Sequence, residues 1–566
     1  MKRARACRVC LQLIIFALPL LLAARLSADA GDPPARVARL SFVKGTVSLQ
    51  PSGANDWSQA SLNYPLTTGD RIYTDQDGQA ELEVGSAAVR ASASTDLTIA
   101  NLNDQFMQIG LGQGTLRVRV YDLPEGDSIE VDTPNGALTL LLPGDYRVET
   151  FPNDNTTLVI VNNGSLEVTG GDLSERVESG QAVKLTGTDP IQASFVSPPG
   201  ADDFDQWCWE RDSRVTSSAS ASYVSPETPG YSDLDTYGTW DEHTPFGPVW
   251  YPVGVAVGWV PYRVGRWIWV FPWGWTWVGS EAWGFAPFHY GRWALIGARW
   301  GWLPGPLAVR PYYAPALVAF VGGPNFSLGI GSVQAWFPLG PGEPYYPWYH
   351  YGGNYLRQVN ATNIRNAKNI SDFTYATGIN SIHYVNQRAA TTVVPTQAFG
   401  SGQRVDRHAL AITPEQLARA EVIPHPETNP TARALGGGKP APAPRGLAPR
   451  ASISTAGQRL PSAPNAPGGG GVASGPPHTP PRLITRSPVP PPNVSFSEQQ
   501  KAMQAHPGRP IEPQQQENLR AGKPAGPMQD REFPPHPAPA PRTQTPESTP
   551  KSQPAPAPRP SSGPKH

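Results

Sequence analysis

The chain has 566 residues, enough for two or three domains. Its 66 prolines, 56 glycines and 16% charged residues, against roughly 25% in ordinary soluble domains, exclude one uniform globule; they leave partial disorder or many short strands joined by turns. Lys and Arg total 45 against 46 Asp and Glu, but acids crowd the stretch 39–190 and bases dominate after Thr431, so head and tail either attract one another or are solvated separately.

Lys2, Arg3, Arg5 and Arg8 precede an apolar run from Val9 to Ala24, and Ala28-Asp29-Ala30 follows with small residues where a signal peptidase reads. Residues 1–30 are therefore expected to be a cleaved signal peptide, and the mature protein periplasmic or extracellular. The run is shorter than the roughly 20 residues of a membrane-spanning helix, so no stable transmembrane anchor is expected. Cys7 and Cys10 leave with the signal. Cys208 alone remains, either as a buried inert thiol or for an intermolecular disulfide.

Residues 38–198 read as a β-domain. Glu81-Leu82-Glu83-Val84 and Leu116-Arg117-Val118-Arg119-Val120 alternate apolar and polar, the period of a strand with one buried face. Asp77-Gly78, Asn135-Gly136 and Asn163-Gly164 tolerate positive φ and predict tight hairpins. Strand-sized runs at this spacing predict a sandwich, barrel or short solenoid. Gly45-Thr46-Val47, the run Leu66–Thr74, Ala80-Glu81-Leu82, Thr133-Pro134, the run Gly144–Val148, the run Gly164–Val168 and Ser179-Gly180-Gln181 follow one another in an order that resembles a FecR domain. The resemblance covers about 160 residues. It implies a periplasmic sensing component that, in the family, passes a signal to a sigma factor through a cytoplasmic segment; about eight residues ahead of the apolar run are expected to be too few for such a segment.

Residues 199–234 read as a polar linker carrying Trp207-Cys208-Trp209-Glu210-Arg211. Its Asp202, Asp203 and Asp205 invite a metal or acid/base reading, but carboxylates need a pocket to shift their pKa values, and solvated acids are expected.

Residues 235–400 form a Trp-, Tyr-, Pro- and Gly-rich β-domain with an internal repeat. Gly258–Trp267 matches Gly284–Trp293, an offset of 284 − 258 = 26, and the match resumes one residue out of step, Trp273-Gly274-Trp275 against Trp300-Gly301-Trp302. The rings either form a core or offer an exposed stacking platform for sugars or Pro-rich peptides. Trp259, Trp267, Trp269, Trp273, Trp275, Trp293, Trp300 and Trp302 are the candidate platform. Arg263, Arg266, Arg292 and Arg299 could serve a nucleic-acid groove, but export makes nucleic acid an unexpected ligand, and stacking on rings is the expected use of Arg266 and Arg292. His289, whose repeat mate is Arg263, is expected at the surface or rim. The set, with Trp207–Arg211 upstream, is similar to a domain of unknown function found behind FecR-like domains in exported bacterial proteins.

Residues 401–566 are expected to be a mostly disordered Pro/Ala-rich tail, a spacer or a peptide ligand. No catalytic constellation, cofactor motif or metal spacing is read. Gly400-Ser401-Gly402 is not a nucleophile elbow, and Asp75-Gln76-Asp77-Gly78 reads as a turn and not as a calcium loop. The expectation is a non-enzymatic exported envelope protein, all-β, that scaffolds or binds cell-wall polysaccharide or a Pro-rich or other envelope protein; the alternative is a FecR-type sensing component lacking its own anti-sigma segment.

Overall fold

The computed structural model describes residues 31–528 except 308, 325, 327, 329–330, 366–378, 380–381, 446, 448–451 and 456–481, with backbone alone for Ser452–Thr455. The expected signal peptide and the last part of the tail lie outside the described residues.

The fold is mainly β, as the alternating sequence predicts. Two sheets of the first unit share one strand, Phe106–Val120. In one sheet its C-terminal half lies between Ala87–Ala91 and Gly144–Phe151, and the sheet continues through Gln79–Val84 and Ala38–Lys44 on one side and Thr156–Asn163 and Gln181–Thr186 on the other. In the other sheet its N-terminal half pairs with Asp96–Leu102 and, in parallel, with Ser128–Thr133. The strand passes between sheets at Gly114, whose φ is +89° and where a Cβ would stand 2.5 Å from Thr95 Cα; no other residue fits there without a shift. Leu40, Leu82, Val89 and Val118 from one sheet meet Leu49, Ile72, Ile109 and Val131 from the other in one core.

Of the three expected hairpins, only Asn135-Gly136 closes one, between Ser128–Thr133 and Gly136–Leu140. Asp77-Gly78 and Asn163-Gly164 instead carry the chain from one sheet to the other. A turn dipeptide fixes the local reversal but not which neighbour the next strand finds.

The expected linker is folded. Asp203–Thr216 is a helix whose N-cap Asp202 accepts from the Asp205 N–H while the Asp205 carboxylate reaches back to the Asp202 N–H. This capping box satisfies two orphan donors, which is why a polar stretch holds a helix.

In the second unit each repeat builds a β-hairpin. Gly265–Val270 pairs with Gly274–Gly279, and Arg292–Ile296 with Arg299–Leu303. Trp267 faces Trp277, and Trp293 faces Trp302. The offset is therefore 293 − 267 = 26 before the turn and 302 − 277 = 25 after it. The sequence alignment of Trp273 with Trp300 is thus corrected to Trp275 with Trp300. The physical cause is the turn: three residues in the first copy, and Gly297-Ala298 alone in the second, both at positive φ. Val318–Gly322 and Val333–Pro338 form a further sheet that packs rings against the hairpins.

The expected tail is also partly built. Residues 401–445 and 482–528 carry short elements, and Leu435, Leu483, Val494, Phe496, Met503 and Ile511 are buried. A Pro-rich segment that cannot form its own core can still dock sparse apolar anchors onto one that exists.

Candidate functional site

The outer face of the first sheet carries charge where a solvated β-face would be expected. The register sets Glu81 opposite Arg90, Arg90 opposite Arg117, and Arg117 opposite Arg147. Like charges directly across a sheet repel; Arg90 and Arg117 are fully buried, and Arg147 is half-buried. The capped helix neutralises them. Asp205 accepts from Arg117 and, at 2.7 Å, from Arg147; Asp202 accepts from Arg147 at 2.7 Å. Asp212 lies 2.7 Å from Arg90 Nη1 and accepts from the Tyr121 hydroxyl at 2.8 Å. Arg211 donates to Glu81, which Arg90 also holds at 2.7 Å.

Cation–ring contacts between the helix and the sheet complete the cover. Arg117 lies over Trp209 at 5.1 Å, Arg147 over Phe204 at 5.9 Å, and Arg211 over Phe42 at 5.3 Å. Burial pushes the Glu81 carboxyl up, but the hydrogen bonds and charges of Arg211 and Arg90 outweigh it and bring the pKa down to about 2. The Asp202 carboxyl is also lowered to about 2, chiefly by Arg147. Cys208 faces inward, fully buried, and burial pushes its thiol up to about 12. The expected solvated acids are therefore corrected: Asp205 is buried in a network, and only Asp203 stays exposed without a partner role.

The same face joins the second unit. Arg39 donates to Glu83 at 3.1 Å and to the Ala282 carbonyl at 2.9 Å, and pairs with Asp233 at 2.6 Å. The Asn63 amide donates to the Gly279 and Glu281 carbonyls. At this junction opens a cavity of about 260 Å³, walled by the turn Gly85-Ser86, the helix end Val215-Thr216, Ala221 and the segment Thr228–Ser232. Glu81, Glu83 and Tyr121 lie along its inner wall. Tyr231 also lines it and donates its hydroxyl to the Val215 carbonyl at 3.2 Å, which ties the loop to the helix end. The walls are largely apolar, and the volume lies just under the roughly 300–1,000 Å³ of small-molecule sites. It suits one apolar side chain better than an oligosaccharide.

The eight candidate platform residues do not line this cavity. Trp259, Trp267, Trp269, Trp273, Trp275, Trp293, Trp300 and Trp302 are all buried, with Trp300 the most exposed at 9%. Trp267 packs edge-on against Trp277, Trp336 and Trp348, and Trp259 against Trp283 and Trp293. The exposed-platform reading is corrected: Phe320 and Trp336 on strands and Phe399 on the helix Thr396–Gly400 add to the interior, so the core is large enough to absorb the rings.

His289 is likewise not at the rim. It is fully buried, its Nδ1 lies 2.8 Å from the Ala314 carbonyl, it stacks on Tyr313, and burial lowers its pKa to about 3, so the ring is neutral. Arg292 is buried on the carbonyls of Glu343 and Gly291, and Arg266 bonds the Gly437 carbonyl. Among the described residues neither stacks on a ring as expected; Arg299 does, 4.3 Å from the Tyr251 centroid, while Arg263 meets Thr392. Asp77 accepts from the Thr46 N–H, in keeping with a turn. The junction itself was missed by sequence reasoning. Its signals were the Asp202-x-x-Asp205 cap and the arginines at alternate strand positions.

Among the described residues no helix is long and apolar enough to cross a membrane. Residues 231–343 match a family of unknown function, DUF6600. None of the curated proteins matches the chain. Two crystal structures of a protein from Parabacteroides distasonis ATCC 8503, described as an anti-sigma factor and determined at 2.50 and 1.65 Å, are similar at 17% and 16% identity. Each match covers 22% of this chain and 60% of that one, with a TM-score of 0.20.

Proposed function

We propose that the chain is an exported, non-enzymatic binding protein of the bacterial envelope that holds a protein partner by an apolar side chain at the junction cavity. The observation that carries this reading is the cavity itself, apolar-walled, side-chain-sized and framed by the first β-unit, the end of the capped helix and the segment that leads into the second unit. Its acidic neighbours are already engaged: Glu81 by Arg90 and Arg211, Glu83 by Arg39. Carboxylates held as ion pairs are poor proton carriers, which favours binding over catalysis. Polysaccharide recognition would call for exposed ring faces, and the candidate tryptophans are interior. A protein partner is therefore favoured over glycan. Export is supported by the basic and apolar character of residues 1–30.

The test places a benzophenone amino acid at Ala221, on the cavity wall, and for comparison at the exposed Ser174. Irradiation in living cells is expected to give an adduct with one envelope protein from position 221 only, lost when Ser86→Phe fills the cavity. The mature protein should be recovered from the periplasm or medium beginning at Gly31. An adduct indifferent to Ser86→Phe, or a cytosolic protein retaining Met1, overturns the proposal.

A further inference from the structure

The chain from Thr244 to Tyr262 holds no charged residue, and its middle stands clear of the fold. Every residue from Val253 to Gly258 is exposed, Val253 by 48% and Val257 completely. The tip is a tight turn. The Trp259 N–H donates to the Ala256 carbonyl at 3.0 Å, and Gly258 takes φ +77° at the third position, which sets Val257 at the apex. Beyond the chain neighbours, no atom lies within 4 Å of where a Cβ on Gly254 or Gly258 would stand. Both ends are nevertheless held. The Val253 N–H donates to the Tyr237 carbonyl at 2.9 Å, and the Trp259 indole donates to the Glu281 carboxylate at 2.9 Å. A fixed protrusion of valines is a form that folded surfaces avoid unless something receives it.

Cations gather beside the foot of this loop. The turn Val405–Arg407 packs on the strand Gly265–Val270, and a Cβ on Gly402 would stand 3.3 Å from the Trp267 carbonyl. This brings Arg404 and Arg407 within electrostatic reach of Arg266, and Arg404 within reach of Glu281, the residue that holds Trp259. Arg266 donates to the Gly437 carbonyl, Arg404 pairs with Asp406 at 2.9 Å, and Arg407 is exposed. Three guanidiniums thus meet two carboxylates, and burial pushes that of Glu281 up to about 7, so it offsets the positive charge only in part. The acids of the strand Gly238–Thr244 lie away from the foot: Gly238 is the residue opposite Pro252, while Asp241 is opposite Val249.

The loop carries neither a ring nor a hydrogen-bonding side chain, and so lacks the Trp, Tyr and Arg anchors that dominate protein interfaces. Its attraction is apolar and without direction, which suits the boundary between lipid headgroups and acyl chains. The arginines beside it complement an anionic headgroup layer.

We propose that the loop Val253–Gly258 inserts into the surface of an anionic phospholipid bilayer while Arg404 and Arg407 meet its headgroups, so that the chain is held on a membrane without crossing it. This surface is separate from the junction cavity and does not depend on it. Three valines and a few cations make a weak, reversible hold, released by salt.

The test is co-sedimentation of the full chain with vesicles of phosphatidylglycerol or of phosphatidylcholine. Residues 1–30 are common to all variants, so differences between variants read the loop and the arginines. The wild type is expected to partition onto phosphatidylglycerol at least about ten-fold more strongly than onto phosphatidylcholine. Val255→Asp with Val257→Asp should weaken that binding at least about ten-fold. Arg404→Gln with Arg407→Gln should bring it down to the phosphatidylcholine level. Near-UV circular dichroism, unchanged in both double variants, checks folding. An environment-sensitive dye on Val257→Cys, with Cys208 buried and unreactive, should shift to the blue on phosphatidylglycerol vesicles. Wild-type binding by the valine variant, equal binding to both lipids, or a bound protein whose dye does not shift overturns the proposal.

Discussion

Removing the Asp205 carboxylate tests the arginine ladder at its most crowded point. Asp205 accepts from Arg117, which is fully buried, and from Arg147, and its side chain also closes the helix cap. In Asp205→Ala, Asp145 still pairs with Arg117, and Asp202 with Arg147. Taking one partner from a buried ion pair costs about 3–5 kcal/mol. The remaining partners put this case at the lower end, and loss of the reciprocal cap bond adds roughly 0.5–1 kcal/mol. The expected loss is therefore about 3–4 kcal/mol in urea unfolding of the full chain. Asp203→Ala, one turn position away but exposed, should stay within about 0.5 kcal/mol. If Asp205→Ala unfolds within about 1 kcal/mol of wild type, or no differently from Asp203→Ala, the helix is not clamped by its carboxylates and the reasoning fails.

Trp267→Ala and Trp293→Ala each remove a fully buried indole, at a cost of about 3–5 kcal/mol apiece, so the double variant should lose its near-UV signal and soluble yield; a folded double variant would contradict the core placement. Glu81 is held at about 2 in the folded state against 4.5 ordinarily, so its contribution is present above pH 4.5 and fades as pH falls toward 2. Melting curves across that window should fall with acid in the wild type and less steeply in Glu81→Gln; equal slopes would contradict the assignment. Cys208, buried and with its thiol raised to about 12, should react with a disulfide reagent at least about 100-fold faster in denaturant than in buffer, and comparable rates would contradict its burial.

The strands were legible because one face of each alternates: Leu82 and Val84, or Leu116, Val118 and Val120, report a buried face directly. The opposite face was not legible. Glu81, Arg90 and Arg117 look like solvated residues until the helix from 203 to 216 is laid over them, and that helix lacks a long apolar stripe because it packs through ion pairs and rings. The aromatic repeat revealed the two hairpins, but the one-residue difference in their turns hid which tryptophans correspond. The rings' number argued for a platform because spacing alone does not show how large a core they share; Phe320, Trp336 and Phe399 enlarge it enough to absorb them. In the tail, Leu483-Ile484 and Val494–Phe496 are too brief to signal structure, since their order comes from a groove built elsewhere in the chain.

The junction makes the two β-units one body, and a single unfolding experiment reads this most directly. Full-length protein carrying a dye on Asp172→Cys, at an exposed turn of the first unit, is unfolded in urea while tryptophan fluorescence follows the ring-rich second unit. Arg39, Asn63 and the capped helix linking them predict coincident transitions with one midpoint. Two separated midpoints would show that the units fold independently, and the cavity beside their junction would lose part of its rigid frame.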